Sequence, residues 1–466
     1  MDTLHFDVAV IGAGPGGYVA AIKSSQMGKK VCLIEKGLLG GTCLNVGCIP
    51  TKTLISNSHV LHIVKNAAVF GIDIKGFDVD YSKSVKRKDE VIDKIRKGLE
   101  GLIKANQIEI IRGNAEFISN FEIKVKGEHP KMIKADKVII ASGSEPMKLS
   151  SIEPDHKMIF NSTSVLSMTQ LPKSMAIIGG GYIGCEFAAL FKEYGVDVTI
   201  IEALDSIVQA QGKSVSEALT TAMNKRGVHI KLKQPLESYQ KFDDHVVLKL
   251  ADGTEIKAEN VLVSVGRSVY TQGLGLEKTG IACGPRGEIM VNDHMETSVK
   301  GIYAIGDVTG KYMLAHVGSH QGVVAASCAA GKPTKMHYNA VPAVIFTDPE
   351  IGTIGMTLEA AQAEGYEAKV GKFPFQALGK SQAAMQTEGF AQIVVDAKTG
   401  KILGAQVVGH EASNLIAEIA IAIQNELTIE CISETIHAHP TVAEAWHEAA
   451  LMAQDMPIHM PPKIKK

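Results

Sequence analysis

Two cysteines, Cys43 and Cys48, stand in the run Gly40-Gly41-Thr42-Cys43-Leu44-Asn45-Val46-Gly47-Cys48-Ile49-Pro50-Thr51-Lys52. Two sulfurs so placed can hold an electron pair by making and breaking a disulfide, or can share a metal. A regular helix would separate their Cα atoms by about 7.5 Å in axial rise alone, whereas a disulfide needs roughly 4.4–6.8 Å. If the two cysteines bridge, the backbone between them must be irregular. Gly47 supplies the freedom for that, and Pro50 restricts the backbone beyond Cys48. Zinc is the weaker alternative, because no second pair appears at ligand spacing, and no metal site is expected. The other cysteines, Cys32, Cys185, Cys283, Cys328 and Cys431, sit in apolar or undistinguished contexts and read as packing residues. An odd, sparse set in a long chain is no disulfide scaffold; in a reducing compartment a disulfide is catalytic or redox-sensing.

The elements around the pair say what its electrons could reach. Asp7–Gly12 is an apolar run ending in Gly12-Ala13-Gly14-Pro15-Gly16-Gly17, before an Ala-rich helix and a second strand, Lys30–Glu35, that ends in an acid. Gly12 permits the tight turn, Gly14 lets backbone approach a pyrophosphate at the helix N-terminus, and Gly17 allows close helix–strand packing. Glu35 would accept from ribose hydroxyls. The pattern recurs: Met175–Ile178 leads into Gly179-Gly180-Gly181-Tyr182-Ile183-Gly184, a helix over Cys185–Tyr194, and the strand Asp197–Ile201 ending at Glu202. The first-glycine-to-acid separation is the same in both, 35 − 12 = 23 and 202 − 179 = 23. Two dinucleotide sites imply an enzyme that passes electrons between dinucleotides. Glu202 would repel a 2′-phosphate and no Arg or Lys occurs within 203–208, so the second site should prefer NAD over NADP.

At 466 residues the chain is too long for one core. Its 48 basic and 50 acidic residues leave a formal charge of −2 with no basic block, so nucleic-acid binding has no electrostatic support. No apolar run reaches the length of a membrane span. Met1-Asp2-Thr3-Leu4-His5-Phe6 passes straight into a strand-like run, leaving no room for a leader; a cytoplasmic protein is expected.

A third segment, Thr297–Asp307, ends in Gly306-Asp307. With Gly12–Gly17 it resembles the two-part FAD signature of flavoprotein reductases. Together with Gly40–Lys52, Ala141-Ser142-Gly143-Ser144, Gly179–Glu186, Val265-Gly266-Arg267 and His437-Ala438-His439-Pro440-Thr441-Val442-Ala443-Glu444, the chain resembles, nearly end to end, the pyridine nucleotide–disulfide oxidoreductases, most closely their dihydrolipoyl dehydrogenase branch. Thr51, Ser142 and Cys185 depart from the commonest residues without removing a needed functional group.

The resemblance implies an α/β protein with two Rossmann-like dinucleotide-binding domains and a C-terminal α+β dimerisation domain. Its boundaries would be 1–147 (FAD), 148–275 (NAD), 276–345 (central, completing the FAD site) and 346–466 (interface). Interface strands are expected over 392–396 and 403–409, and an amphipathic helix over 412–425. By the same resemblance FAD would be held by Gly12, Gly14, Gly17, Glu35, Lys52, Ser142, Gly143, Asp307 and Ala315, and NAD by Gly179, Gly181, Gly184, Glu202 and Gly266.

The resemblance also assigns roles. Cys43 exchanges with substrate and Cys48 faces the flavin. His439 is the base, oriented by Glu444 and supplied by the partner subunit of a homodimer, with a cis His439–Pro440 bond. Pro440 reads as the start of a helix with Glu444 in its first turns. Lys52 and Glu186 form an ion pair beside the flavin, and a helix beginning near His316 points its N-terminus at the flavin. His437 is secondary. Electrons would run from dihydrolipoamide through the disulfide and FAD to NAD⁺. The expected partners are lipoyl domains and the acyltransferase core of 2-oxo acid dehydrogenase complexes, or the glycine cleavage system. The enzyme rival is a glutathione-type reductase using NADPH, which Glu202 disfavours. The rival of another class is a non-catalytic flavoprotein docking subunit, which the complete set of reactive residues disfavours.

Overall fold

The computed structural model describes residues 3–461; Met1 and Asp2, on which the expectation of a leaderless start partly rests, lie outside them. The chain divides into two compact units, residues 1–148, 161–170 and 266–337, and residues 149–160, 171–265 and 338–466. Each holds one of the two glycine fingerprints.

In the first unit the apolar runs form parallel strands because they are buried on both faces. Val31–Glu35 is buried throughout. The strands lie in the order Glu109–Arg112, Val31–Glu35, Thr3–Ile11, Lys131–Ile140. Ile11 sits opposite both Ile34 and Ile140, which brings the ends of three strands to one edge beneath the glycine turn. Ile302–Ala304 joins beside Lys131–Ile140 in parallel. It delivers Gly306-Asp307 to that same edge, where ligands gather in open α/β sheets. The helix Pro15–Gln26 packs on the helix Ala315–Ala329 through glycines. A Cβ on Gly16 would lie 2.9 Å from the carbonyl oxygen of Gly318, and one on Gly322 2.6 Å from that of Gly16.

The second unit repeats this order with His229–Lys231, Asp197–Ile201, Ser174–Ile178 and Asn260–Val263. Ile178 is the counterpart of Ile11, opposite Ile201 and Val263. The rest of this unit holds a three-stranded antiparallel sheet within 236–258 and a five-stranded one containing Phe390–Asp396 and Ile402–Val408, both fully buried. The five-stranded sheet is covered by the helices Ala412–Gln424 and Glu444–Ala453. Their core is built on Trp446, wholly buried, whose Nε1 donates to the Leu415 carbonyl at 3.0 Å. The strand and helix expectations for this region hold to within two residues.

Among the described residues no helix is long and apolar enough to cross a membrane, and no cluster of three or more ligating side chains could hold a metal. Packing describes Cys32 and Cys185, whose thiols burial pushes well above their usual range. It does not describe Cys283, exposed in a β-bridge with Ile289, or Cys431, exposed on the helix Ile429–Glu434.

Candidate active site

Cys43 and Cys48 form a disulfide with Cα atoms 4.6 Å apart. The backbone achieves this by breaking one helix into two. Gly41–Val46 ends at Gly47, whose φ of −148° and ψ of −107° leave the helical region, and Cys48 opens a new helix running to Lys65. Thr51 closes the break, its Oγ1 donating to the Gly47 carbonyl at 2.7 Å. Threonine therefore performs the task here without loss. The pair rests directly on the first fingerprint. Gly40, at φ +95°, donates its N–H to the Ala13 carbonyl at 2.8 Å, and a Cβ on Gly41 would lie 2.6 Å from the Cα of Gly14.

The two fingerprints match atom for atom. A Cβ on Gly12 would meet the Ala141 carbonyl oxygen at 2.3 Å, and one on Gly179 that of Ser264 at 2.5 Å. A Cβ on Gly17 would meet the Gly12 oxygen at 1.8 Å, and one on Gly184 the Gly179 oxygen at 2.0 Å. The middle glycines differ in kind: a Cβ on Gly14 has nothing nearer than 4.0 Å, and one on Gly181 nothing within 4 Å. The space that only glycine leaves there faces no protein, as a cradle for a pyrophosphate requires.

The acids match too. Glu35 accepts from Ala13 N and Gly37 N, both at 2.7 Å. Glu202 accepts from Gly180 N at 2.6 Å and Leu204 N at 2.7 Å. Two backbone donors hold each carboxylate in place and leave lone pairs for a ribose diol.

Asp307 is held by partners that residue order alone gives no role. Its Oδ2 accepts from Ser144 Oγ at 2.5 Å, and Arg267 donates from Nε to that same Oγ at 2.7 Å and from Nη2 to the Ser144 carbonyl at 2.8 Å. The turn before it is held by buried Gln321, whose Oε1 accepts from Gly306 N at 2.6 Å. Ser142 Oγ donates to the Tyr270 carbonyl at 2.6 Å, and the Gly143 carbonyl accepts from Tyr270 N at 2.9 Å. Ala315 is the first residue of its helix, preceded by Leu314, whose side chain does not cap it. Lys52 is half-buried in the first unit, while buried Glu186 in the second accepts from Phe346 N at 2.9 Å. Gly266, expected with the NAD residues, belongs to the first unit, where its carbonyl accepts from Met147 N at 3.0 Å.

In the second unit His439 Nδ1 lies 2.8 Å from Glu444 Oε1, and the His439–Pro440 peptide is cis. The helix does not start at Pro440. The turn through Pro440 delays it, and Glu444 is its first residue, its Oε2 accepting from Thr441 N at 2.9 Å. Burial pushes the Glu444 carboxyl up, but the Thr441 N–H and then His439 bring it below its usual range. A carboxylate on Nδ1 fixes the hydrogen there and leaves Nε2 as an acceptor. The His439 side chain is 77% exposed. His437 is its opposite: nearly buried, with Nδ1 3.0 Å from the Thr435 carbonyl and Nε2 2.9 Å from Glu418. Both nitrogens face acceptors, an arrangement that favours the doubly protonated ring, and Glu418 raises its pKa.

Fold and sites together define a protein with two matching glycine-rich βαβ turns, a disulfide on one of them, and a histidine bonded to a carboxylate. Comparison with known proteins gives the family. The model for the pyridine nucleotide-disulphide oxidoreductases matches residues 6–322, and that for their dimerisation domain matches residues 341–450. The chain belongs to this family. It is 47% identical over 461 residues to a dihydrolipoyl dehydrogenase of Chlamydia pneumoniae, covering 99% of this chain and 100% of that one. It is 41% identical to a dihydrolipoyl dehydrogenase of Geobacillus stearothermophilus, covering 98% of each. Among solved structures, the copper complex of an HOCl-induced flavoprotein disulfide reductase of Escherichia coli superposes with a TM-score of 0.87 at 27% identity, covering 97% of this chain and 99% of that one. Membership implies an oxidoreductase using FAD and NAD(H), and the dimerisation domain supports a homodimer.

Proposed function

We propose that the protein is a dihydrolipoyl dehydrogenase, oxidising protein-bound dihydrolipoamide to lipoamide and reducing NAD⁺. The observation that carries this is the Cys43–Cys48 disulfide seated on Gly14, the open cradle of the first fingerprint. His439 Nε2 takes a proton from a substrate thiol, with Glu444 fixing the ring. The thiolate attacks Cys43 Sγ, the Cys43–Cys48 bond breaks, and Cys48 leaves as a thiolate. The second substrate sulfur then attacks the mixed disulfide and closes the lipoamide ring, and Cys43 leaves, taking up the proton that this second thiol gives up. The protein has gained two electrons. FAD, when bound, supplies the two-electron link from the dithiol to the nicotinamide.

In this reading Gly12, Gly14, Gly17, Glu35, Lys52, Ser142, Gly143, Asp307 and Ala315 hold FAD. Gly179, Gly181, Gly184 and Glu202 hold NAD. The four regions bounded at 147, 275 and 345 carry these sites. The exposure of His439 supports a base that works on the disulfide of the partner subunit. Lipoyl domains and the acyltransferase core of 2-oxo acid dehydrogenase complexes are the partners. The five free cysteines fit a reducing, cytoplasmic setting.

The test is anaerobic titration with dihydrolipoamide monitored by visible absorbance. A long-wavelength thiolate-to-flavin band is expected at two electrons; its absence places Cys48 away from the flavin and overturns the reading. Turnover of glutathione disulfide with NADPH, in place of lipoamide with NAD, would also overturn it.

A further inference from the structure

The two fingerprints share one more hydrogen bond, and here their residues differ. In the first unit the Ala13 carbonyl accepts from Gly40 N at 2.8 Å; in the second the Gly180 carbonyl accepts from Val208 N at 2.8 Å. Ala13 and Gly180 are equivalent, each one position after the first fingerprint glycine. Each is therefore pinned twice, at its N–H by the acid and at its carbonyl by this latch. A trans peptide points its N–H opposite to its carbonyl. Pinning the carbonyl of Gly180 thus turns the N–H of Gly181 the other way, out of the turn and toward the cradle.

Both latch residues have left-handed backbone, φ +95° at Gly40 and φ +43° at Val208. Glycine adopts this freely. A β-branched residue there is a genuine outlier, with Cβ pressed against its own carbonyl. Val208 is 6% exposed and stands next to wholly buried Ile207. Ile207 packs on Gly180, where a Cβ would lie 2.7 Å from its Cγ2, and its carbonyl accepts from Ser216 Oγ at 2.8 Å. The surrounding loop therefore holds Val208 in a conformation its own side chain resists. The first latch carries no such opposition.

We propose that Val208 is a positioning residue for the second cradle, and that its backbone strain makes this latch easier to open than the Gly40 latch, so that the nicotinamide dinucleotide leaves readily while FAD stays. The inference rests on the second fingerprint being the NAD site. Strain of this kind collects at ligand clamps, where an over-determined loop holds it. A nucleotide that must leave once per turnover benefits from a latch near its opening point. A resident cofactor benefits from an unstrained one.

The experiment uses the holoenzyme and ADP-ribose, which probes the second site without redox chemistry. Val208→Gly removes the strain and keeps the N–H. It is expected to lower the ADP-ribose Kd about three- to tenfold and to slow NADH release in stopped flow, with FAD content unchanged. Val208→Ala keeps the Cβ and loses the two γ-methyl groups, so it relieves only part of the strain and is expected to bind ADP-ribose between the Gly variant and the parent. Val208→Asn, which tolerates left-handed backbone, should fall between Gly and the parent and serves if the Gly variant does not fold. A Val208→Gly or Val208→Asn protein that melts higher but binds ADP-ribose as the parent does would overturn the proposal, since the strain would then be structural alone. Weaker binding by both would overturn it too. Failure of the parent to bind ADP-ribose would instead overturn the assignment of the site.

Discussion

The two nucleotide units are built to one plan and loaded differently. Strand order, the Ile11 and Ile178 registers, the three glycines and the two-donor seat of the terminal acid all coincide. On the proposed reading, the first unit adds what a permanent cofactor needs. A second element brings Asp307 to the same sheet edge, a helix N-terminus arrives at Ala315, and the latch residue is glycine. It also carries the disulfide, whose segment begins one residue past the latch at Gly41 and so inherits its position from the fingerprint. The second unit has a strained latch. The lesson is that the βαβ turn determines where a dinucleotide goes, and the segment after the acid determines what the site is for.

The largest expected effect separates the electron path from both cradles. Cys48→Ser should lower dihydrolipoamide-dependent NADH formation by about three orders of magnitude or more, with FAD content and ADP-ribose affinity unchanged. Loss of either nucleotide in that variant would show that the disulfide segment also builds a cradle. Next come the glycines. Gly17→Ala and Gly184→Ala drive a Cβ into a backbone carbonyl that cannot yield, and should cost about 3 kcal/mol or more of stability by urea unfolding. Gly14→Ala and Gly181→Ala leave stability near the parent's. The first loses FAD, and the second raises the KM for NAD with FAD retained. If the middle pair proves as destabilising as the outer pair, the space at Gly14 and Gly181 is not reserved for ligand.

A smaller effect is expected at the acids. Glu202→Gln turns an amide donor toward a backbone N–H and removes the charge that excludes a 2′-phosphate. It should raise the KM for NAD and reduce discrimination against NADP, each about tenfold, while Glu35→Gln lowers FAD occupancy instead. Crossed outcomes would reverse the assignment of the sites. The smallest effect concerns His437. Its pKa is raised by Glu418, so the stability of that pair is fully present below the ordinary imidazole value of about 6.5 and is lost as pH rises through the raised one. His437→Gln should flatten the fall of stability with pH in that window. An unchanged profile would mean that His437 is not cationic in the fold.

Much of the fold and site is legible in residue order because the chemistry depends on short, local geometry. Glycine at 12, 17, 179 and 184 is required by backbone carbonyls at the fingerprint turn, and Gly47 by the chord between Cys43 and Cys48. Such constraints leave a mark at fixed spacing. The helix start at Glu444 is not legible, and Pro440 points to the wrong residue, because the turn between them is organised by the Glu444 carboxylate reaching back to Thr441 and His439. Nor is the exposure of Cys283 and Cys431, because a cysteine has the same letter inside and out.

The sequence by itself determined two dinucleotide turns, their acids, the sulfur pair and the family, since each depends on residue type at short range. Only the tertiary structure decided that Ser144, Arg267 and Gln321 hold the Asp307 turn across as many as 163 positions of chain. It alone showed that both nitrogens of His437 are engaged, by the Thr435 carbonyl and Glu418, while His439 gives one nitrogen to Glu444 and stays exposed. It alone set Gly40 and Val208 in equivalent places with unequal strain. Those are properties of groups brought together by packing, and no spacing in the chain encodes them.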